Sequence, residues 1–123
     1  MIFGIGVDLI ELERIRKIVE RNEISFINKI LTKAEKEYLP TSTKRKIEYL
    51  AGRFAGKEAV AKALGTGIGK GLSWKEIEIL PLPSGKPVVT LKNDHLLTYD
   101  FKIHITISHS KSLAIAKVII EQI

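Results

Sequence analysis

The first residues of the chain have the alternating pattern of a β-strand. The segment from Ile2 to Leu9 is apolar except for its penultimate residue, Asp8. Side chains two residues apart point to the same face of a strand. One face therefore carries Ile2, Gly4, Gly6 and Asp8, and the other carries Phe3, Ile5, Val7 and Leu9.

Apolar residues then recur every three or four positions, which is the period of a helix. This spacing predicts a helix from Glu11 to Arg21 and two shorter helices at Ser25–Leu31 and Lys33–Leu39. The last of these begins with a capping box, in which Thr32 and Glu35 can satisfy each other's backbone N–H groups.

The longest predicted helix runs from Thr43 to Leu64. Ser42 or Thr43 can cap its N-terminus with a hydroxyl group, and Gly65 can end it because glycine readily adopts the left-handed conformation. A glycine-rich loop, Gly65–Gly71, follows the helix.

The second half of the chain predicts two β-hairpins. Strands are predicted at Glu76–Leu80, Pro87–Lys92, Lys102–Ser108 and Leu113–Ile120, with a short helical turn at Asn93–Leu97. Because helices fill the first half and hairpins the second, we predict an α+β fold. A helix-rich N-terminal half, with a long central helix, would pack on a mainly antiparallel sheet.

Composition narrows the function classes. A chain of 123 residues with 45% hydrophobic and 28% charged residues is typical of one globular domain, here residues 1–123. The absence of cysteine excludes disulfides, thiolate catalysis and cysteine-based zinc sites. The 20 Lys and Arg against 14 Asp and Glu give a net charge of +6, which favours an anionic partner. We see no signal peptide and no apolar run that could span a membrane, so we expect a cytoplasmic protein.

Two carboxylates interrupt apolar patterns. Glu58 lies at the margin of the apolar stripe of the long helix, and Asp8 lies inside the first strand. The position of each carboxylate also has a purely structural explanation. Glu58 can pair with Lys62 one helical turn later, and Asp8 can end the strand and cap the following helix. Taken together, two carboxylates suit Mg²⁺, which binds one or two carboxylates plus substrate phosphates and water.

Other residues are weaker candidates for binding an anion. The Gly65–Gly71 loop is one residue short of the Walker spacing and follows a helix, so a helix stop with a connector is the alternative. Basic residues on the first helix and the long helix have solvated surface charge as their alternative: Arg14, Lys17, Arg21, Lys44, Arg45, Lys46 and Arg53. His104, Thr106 and Ser108 share a strand face and His109 begins the next turn, which alone is a weak signal of a site.

The order of these segments resembles a known family, the holo-[acyl-carrier-protein] synthases, which are small bacterial 4′-phosphopantetheinyl transferases. The two most specific segments are Gly4–Glu11 and Leu50–Ala59. Shorter matches follow the same order along the chain: Ile30–Thr32, Lys62–Gly69, Glu76–Ile79, Gly85–Pro87 and His104–His109. Two positions depart from the family pattern, namely Gly56, where alanine is more frequent, and Leu113, where an aromatic residue is common.

The resemblance implies an activity. It would be the transfer of 4′-phosphopantetheine from coenzyme A to a serine of apo-acyl carrier protein, dependent on Mg²⁺, in support of fatty acid biosynthesis. The other product would be adenosine 3′,5′-bisphosphate. The resemblance also implies a homotrimer with active sites between neighbouring subunits, and neither a nucleic acid nor a membrane as partner.

The resemblance further implies roles for individual residues. Asp8 and Glu58 would be the Mg²⁺ ligands, and Lys62 would contact the diphosphate and assist the leaving group. The chemistry also requires the proton of the serine to leave, and Glu58 or a metal-bound water could take it; the sequence does not decide between them. Coenzyme A would contact Lys44, Arg45, Arg53, Gly65, Thr66, Gly67, Gly69 and His109. The acidic carrier protein would face Arg14, Lys17 and Arg21.

Two other function classes remain as alternatives. A basic nucleic-acid-binding module without catalytic activity would explain the net charge, although the basic residues lack the interleaved aromatic residues that stack on bases. A structural or assembly subunit would explain a modest core. The nucleic-acid-binding class leaves Asp8 and Glu58 unexplained.

Overall fold

The computed structural model describes residues 1–69, 71–92 and 100–123. Its elements are β1 (Ile2–Glu11), α1 (Leu12–Ile30), α2 (Lys33–Lys36), α3 (Thr43–Leu64), a 3₁₀ turn (Trp74–Glu76), β2 (Ile77–Pro81), β3 (Pro87–Leu91), β4 (Phe101–His109) and β5 (Leu113–Gln122). The helical turn predicted at Asn93–Leu97 lies outside the described residues, as does Lys70 of the glycine-rich loop.

The strands form two antiparallel sheets. In the larger sheet β5 lies between β1 and β4, so that Ala116 is opposite Asp8 on one side and Ile107 on the other. β2 and β3 form a separate two-stranded sheet, in which Ile79 is opposite Val89. The pairs between the described strands are all antiparallel, as predicted.

α3 has the bounds that its capping residues predict. The Ser42 hydroxyl accepts a hydrogen bond from the backbone N–H of Arg45, and Gly65 ends the helix in the left-handed conformation, with φ = 80°. Leu50 and Val60 of this helix are fully buried, together with Ile15 of α1 and Val118 of β5. The core therefore lies between α3, α1 and the larger sheet.

Glycine allows α3 to approach β1 closely. A Cβ atom added to Gly4 would lie 1.9 Å from the carbonyl oxygen of Ala63, and one added to Gly6 would lie 1.9 Å from that of Ala59. No other residue fits at either position without moving the backbone. The face of β1 that carries the glycines and Asp8 is therefore the face that packs on α3.

The opposite face of β1 is apolar and exposed. Between 47% and 61% of the surface of each of its four large apolar residues is accessible: Phe3, Ile5, Val7 and Leu9. Ile115 of the neighbouring strand β5 is also exposed. A contiguous apolar surface of this kind is typical of a protein–protein contact.

α1 and α2 differ in part from their predicted forms. The two helices predicted at Glu11–Arg21 and Ser25–Leu31 run on as α1, but a kink at Asn22, whose φ of −160° is not helical, separates them within the predicted gap. The capping box of Thr32 and Glu35 is present. However, α2 ends at Lys36 rather than at Leu39, because the following N–H groups bond three residues back instead of four.

Within the described residues, no helix is both long and apolar enough to cross a membrane.

Candidate active site

Asp8, Glu58 and Lys62 lie together where β1 packs on α3. The Lys62 ammonium donates to Asp8 Oδ1 at 2.9 Å and to the carbonyl oxygen of Val7 at 3.0 Å. Within the described residues Lys62 thus pairs with Asp8, and not with Glu58 as the structural alternative required. Asp8 also does not cap a helix, because β1 continues through Glu11 and Glu11 occupies the N-cap position of α1.

Two negative charges and one positive charge meet at this place. Burial raises the pKa of the Glu58 carboxyl above its usual range, and the negative charge of Asp8 raises it further. The positive charges of Lys62 and Arg14 act in the opposite direction. The raised pKa of Glu58 favours either a cation beside the two carboxylates or a proton on Glu58.

The donor set at this site fits Mg²⁺. No cluster of three or more His, Cys, Asp or Glu residues occurs in the part of the chain that the structure describes. Asp8 and Glu58 alone would therefore supply the protein ligands, and phosphate and water oxygens would complete the shell. Mg²⁺ is usually bound in this way, with hard oxygen ligands and few protein groups.

A cleft lies near the other end of α3. It has a volume of about 850 Å³, and Lys44, Glu48 and His109 are among its lining residues. His109 Nδ1 lies 3.6 Å from Glu48 Oε2, a distance that makes an ion pair only when the imidazole is protonated. Ser110 begins the β4–β5 turn at the rim of the cleft and accepts hydrogen bonds from the N–H groups of Ser112 and Leu113.

The residues predicted to contact coenzyme A occupy separate parts of α3. Lys44 and Glu58 are fourteen residues apart on the helix, which corresponds to about 21 Å. Lys44 and Gly65 are about 31 Å apart by the same rise per residue. One chain therefore does not bring the cleft, the carboxylates and the glycine-rich loop into contact with one another.

The remaining residues predicted to contact coenzyme A are Arg53, Arg45 and the glycine-rich loop, and they differ in exposure and hydrogen bonding. The Arg53 guanidinium lies 4.3 Å from the ring centre of Tyr49, and its Nε is buried without a hydrogen-bond partner in the described part of the chain. Arg45 is exposed in the first turn of α3. The backbone N–H groups of the glycine-rich loop donate within the chain, at Gly65, Thr66, Gly67 and Gly69. These four N–H groups are therefore already used within the chain and are not free to bind a ligand.

Arg14, Lys17 and Arg21 are all exposed on α1, before the kink at Asn22. Arg16, on the same helix, is engaged by Glu13 and Glu20. The three residues predicted to face an acidic partner thus keep their charges at the surface, and Arg14 is close enough to Glu58 to affect its carboxyl group.

Known proteins share both the sequence and the fold. A family model that describes the 4′-phosphopantetheinyl transferase superfamily matches residues 4–118. The chain belongs to this superfamily. Among curated transferases of the superfamily, a protein named holo-[acyl-carrier-protein] synthase from Geobacillus sp. (strain WCH70) is 52% identical over 124 residues, covering 100% of this chain and 99% of the relative. A protein of the same name from Halalkalibacterium halodurans is 47% identical and covers 100% of this chain and 98% of the relative.

Solved structures of holo-[acyl-carrier-protein] synthases resemble this transferase throughout. The enzyme from Bacillus anthracis, described in complex with CoA (3′,5′-ADP), has a TM-score of 0.85 at 40% identity over 100% of this chain and 99% of its own. The enzyme from Helicobacter pylori, described in complex with coenzyme A, has a TM-score of 0.84 at 37% identity over 95% and 99%. These matches confirm the predicted family and α+β fold.

Sequence reasoning missed two features of this phosphopantetheinyl transferase chain: a buried ion pair, and the position of Glu48 at the cleft. Lys57 and Glu35 form a fully buried ion pair, with Lys57 Nζ 2.7 Å from Glu35 Oε1. The signal for Lys57 was its position among small residues of α3, next to Ala55, Gly56 and Ala59. Glu48 at the cleft was also missed, although it lies one helical turn after Lys44.

Proposed function

We propose that the protein transfers 4′-phosphopantetheine from coenzyme A to a serine of apo-acyl carrier protein. The observation that carries this proposal is the convergence of Asp8, Glu58 and Lys62 at the contact of β1 with α3. The names of the curated relatives and the coenzyme A complexes of the solved relatives support it.

The reaction joins the serine oxygen to the phosphorus that carries the pantetheine group. The bond from that phosphorus to the oxygen of the second phosphate breaks, and adenosine 3′,5′-bisphosphate leaves. Such a transfer needs neutralisation of negative charge and alignment of the reacting groups. Mg²⁺, when bound by Asp8 and Glu58, would supply much of both.

The side chains of the site have distinct tasks in this reaction. The Lys62 ammonium, held beside Asp8, presents positive charge to the diphosphate and gives a proton to the oxygen of the departing phosphate. The proton of the serine hydroxyl leaves to a carboxylate oxygen of Glu58 or to water. The cleft with Lys44 and His109 is the second place where this chain would contact coenzyme A, with Arg45 and Arg53 as further contacts to its phosphates.

We also propose a homotrimer with active sites between subunits. The exposed apolar face of β1 supports assembly, since burying it against another copy of the chain would remove large apolar side chains from water. The separation of the two candidate coenzyme A contact regions along α3 supports shared sites. A Gly65–Gly69 loop from one subunit and a Lys44–His109 cleft from its neighbour could then contact the same molecule.

The carrier protein would dock on the exposed basic residues of α1, which are Arg14, Lys17 and Arg21. Complementary charge of this kind accelerates association and orients the partner. We assign the reaction to the cytoplasm, in support of fatty acid biosynthesis. A nucleic-acid-binding role would use the same net charge but leaves the two carboxylates unexplained.

The direct test is a mass measurement. The protein is incubated with coenzyme A, Mg²⁺ and an apo-acyl carrier protein, and the carrier protein should gain the mass of one phosphopantetheine group. A carrier protein whose acceptor serine is replaced by alanine is the control. An unmodified wild-type carrier protein at millimolar Mg²⁺ would contradict the proposal.

A further inference from the structure

The side chain of Lys57 is fully buried, and its ammonium has three acceptors. It donates to Glu35 Oε1 at 2.7 Å, to the carbonyl oxygen of Ile30 at 2.5 Å and to that of Trp74 at 3.0 Å. These acceptors belong to the end of α1, to α2 and to the 3₁₀ turn before β2. One side chain of α3 thus joins three other segments.

Glu35 extends this network to the smaller sheet. Its Oε2 accepts the backbone N–H of Ile79 at 2.7 Å, and its Oε1 accepts that of Thr32 at 2.8 Å. The Thr32 hydroxyl donates to Glu78 Oε2 at 2.6 Å. Glu35 is fully buried, so both carboxylate oxygens are satisfied by protein groups.

The pair lies on the opposite side of α3 from β1. Successive residues of a helix are separated by about 100°, so Lys57 and Ala59 lie about 200° apart around α3. The carbonyl oxygen of Ala59 is in the close contact with Gly6 of β1. Glu58 projects between these two contacts, at about 100° from each. α3 is therefore held on both sides of Glu58.

We propose that Lys57 is a positioning residue for Glu58, because its buried bonds fix the rotation of α3 that brings Glu58 to Asp8. The side chains of a helix end about 6 Å from its axis, so a rotation of about 10° would move the Glu58 carboxylate by about 1 Å. A misplacement of about 1 Å in a reacting group can lower a rate roughly 10²-fold. This inference rests on the proposed function, since it takes Glu58 and Asp8 to be the metal ligands.

The test uses the double variant Lys57→Met/Glu35→Gln, which removes both buried charges and so leaves neither unpaired. Metal binding is followed with Mn²⁺ alone, by the loss of the EPR signal of the free ion, and transfer is measured in parallel. We expect the affinity for Mn²⁺ and kcat each to fall roughly 10-fold or more. The KM for carrier protein should stay unchanged, because the basic residues of α1 precede the kink at Asn22.

The matched control is Lys46→Met/Glu23→Gln. Lys46 Nζ of α3 lies 2.8 Å from Glu23 Oε1 of α1, so this ion pair also joins the two helices. Lys46 is about 18 Å along α3 from Glu58. The control should keep the Mn²⁺ affinity of wild type. A folded Lys57→Met/Glu35→Gln protein with the control's affinity and kcat would overturn the inference, even if it melted at a lower temperature.

A second variant covers a failure of the double variant to fold. Lys57→Arg keeps a positive charge beside Glu35, but its planar guanidinium cannot repeat the three hydrogen bonds of the ammonium. We expect its affinity for Mn²⁺ to be lower than that of wild type. Unchanged affinity in this variant would also overturn the inference. A wild-type protein that binds Mn²⁺ but does not transfer phosphopantetheine would refute the proposed function and leave the metal-binding comparison valid.

Discussion

Replacing Gly6 with alanine tests whether the packing of β1 on α3 depends on glycine. The new Cβ would lie 1.9 Å from the carbonyl oxygen of Ala59, whereas a close carbon–oxygen contact is about 3.3 Å. The strand and the helix must therefore separate by up to about 1.4 Å. Because the obstacle is backbone and cannot rotate away, we expect a cost of roughly 3 kcal/mol, at the upper end for overpacked cores.

This cost should be visible as a lower melting temperature. For a chain of this length, roughly 3 kcal/mol corresponds to a decrease of about 10 to 15 °C in a thermal melt followed by circular dichroism. Asp8 is two residues from Gly6, so the same displacement should separate it from Lys62 and Glu58 and reduce transfer in whatever fraction remains folded.

Gly56→Ala is the matched control for Gly6→Ala. A Cβ at Gly56 would lie 2.7 Å from Ile79 Cδ1, which is the end of a flexible side chain and can move. The gain in helix propensity from alanine, about 1 kcal/mol, offsets part of this repacking. We expect the melting temperature of Gly56→Ala to stay within a few degrees of wild type. Equal melting temperatures for the two variants would refute the argument that β1 needs glycine.

Three variants test the roles proposed for individual side chains. Lys62→Met should lower kcat by roughly 10²-fold in the transfer assay, because the leaving group loses its positive neighbour; an unchanged kcat would return Lys62 to a structural role. Arg14→Glu/Arg21→Glu should raise the KM for carrier protein far more than that for coenzyme A, and equal effects would argue against docking on α1. Burial and the charge of Asp8 raise the pKa of Glu58, so the metal-free protein should lose stability as pH rises above the ordinary value of 4.5. Metal-free Glu58→Gln should accordingly melt above wild type at about pH 7 and level with it near pH 4, and the reverse order would contradict the repulsion.

Features that depend on local chemistry were predictable from the sequence. Ser42 and Gly65 set the ends of α3, and Thr32 with Glu35 forms the predicted capping box. Asp8 and Glu58 were identified because each contradicts the pattern around it, and the structure brings both to the same place. Their proposed role as metal ligands remains a prediction.

Features that depend on contacts between distant segments were not predictable. The apolar face of β1 is exposed, and the face with Gly6 is packed, because the close approach of α3 decides the orientation of the strand. The ion pair of Lys57 with Glu35 joins residues 22 positions apart, and no local pattern indicates it. One local feature was also missed: α2 ends early because the N–H groups after it bond three residues back instead of four.

The most direct test of the central claim is the change in melting temperature on adding Mg²⁺ and coenzyme A, compared between wild type and Glu58→Gln. Ligands that bind the folded state stabilise it, by about 2.7 kcal/mol at a hundredfold excess over Kd. Glu37→Gln, which removes an exposed carboxylate elsewhere, is the control and should respond as wild type does. The account predicts that Glu58→Gln is at least as stable as wild type without ligands, gains much less stability from them, and transfers no phosphopantetheine. A Glu58→Gln protein that is destabilised without ligands, is stabilised by them as much as wild type, and still modifies the carrier protein would contradict it.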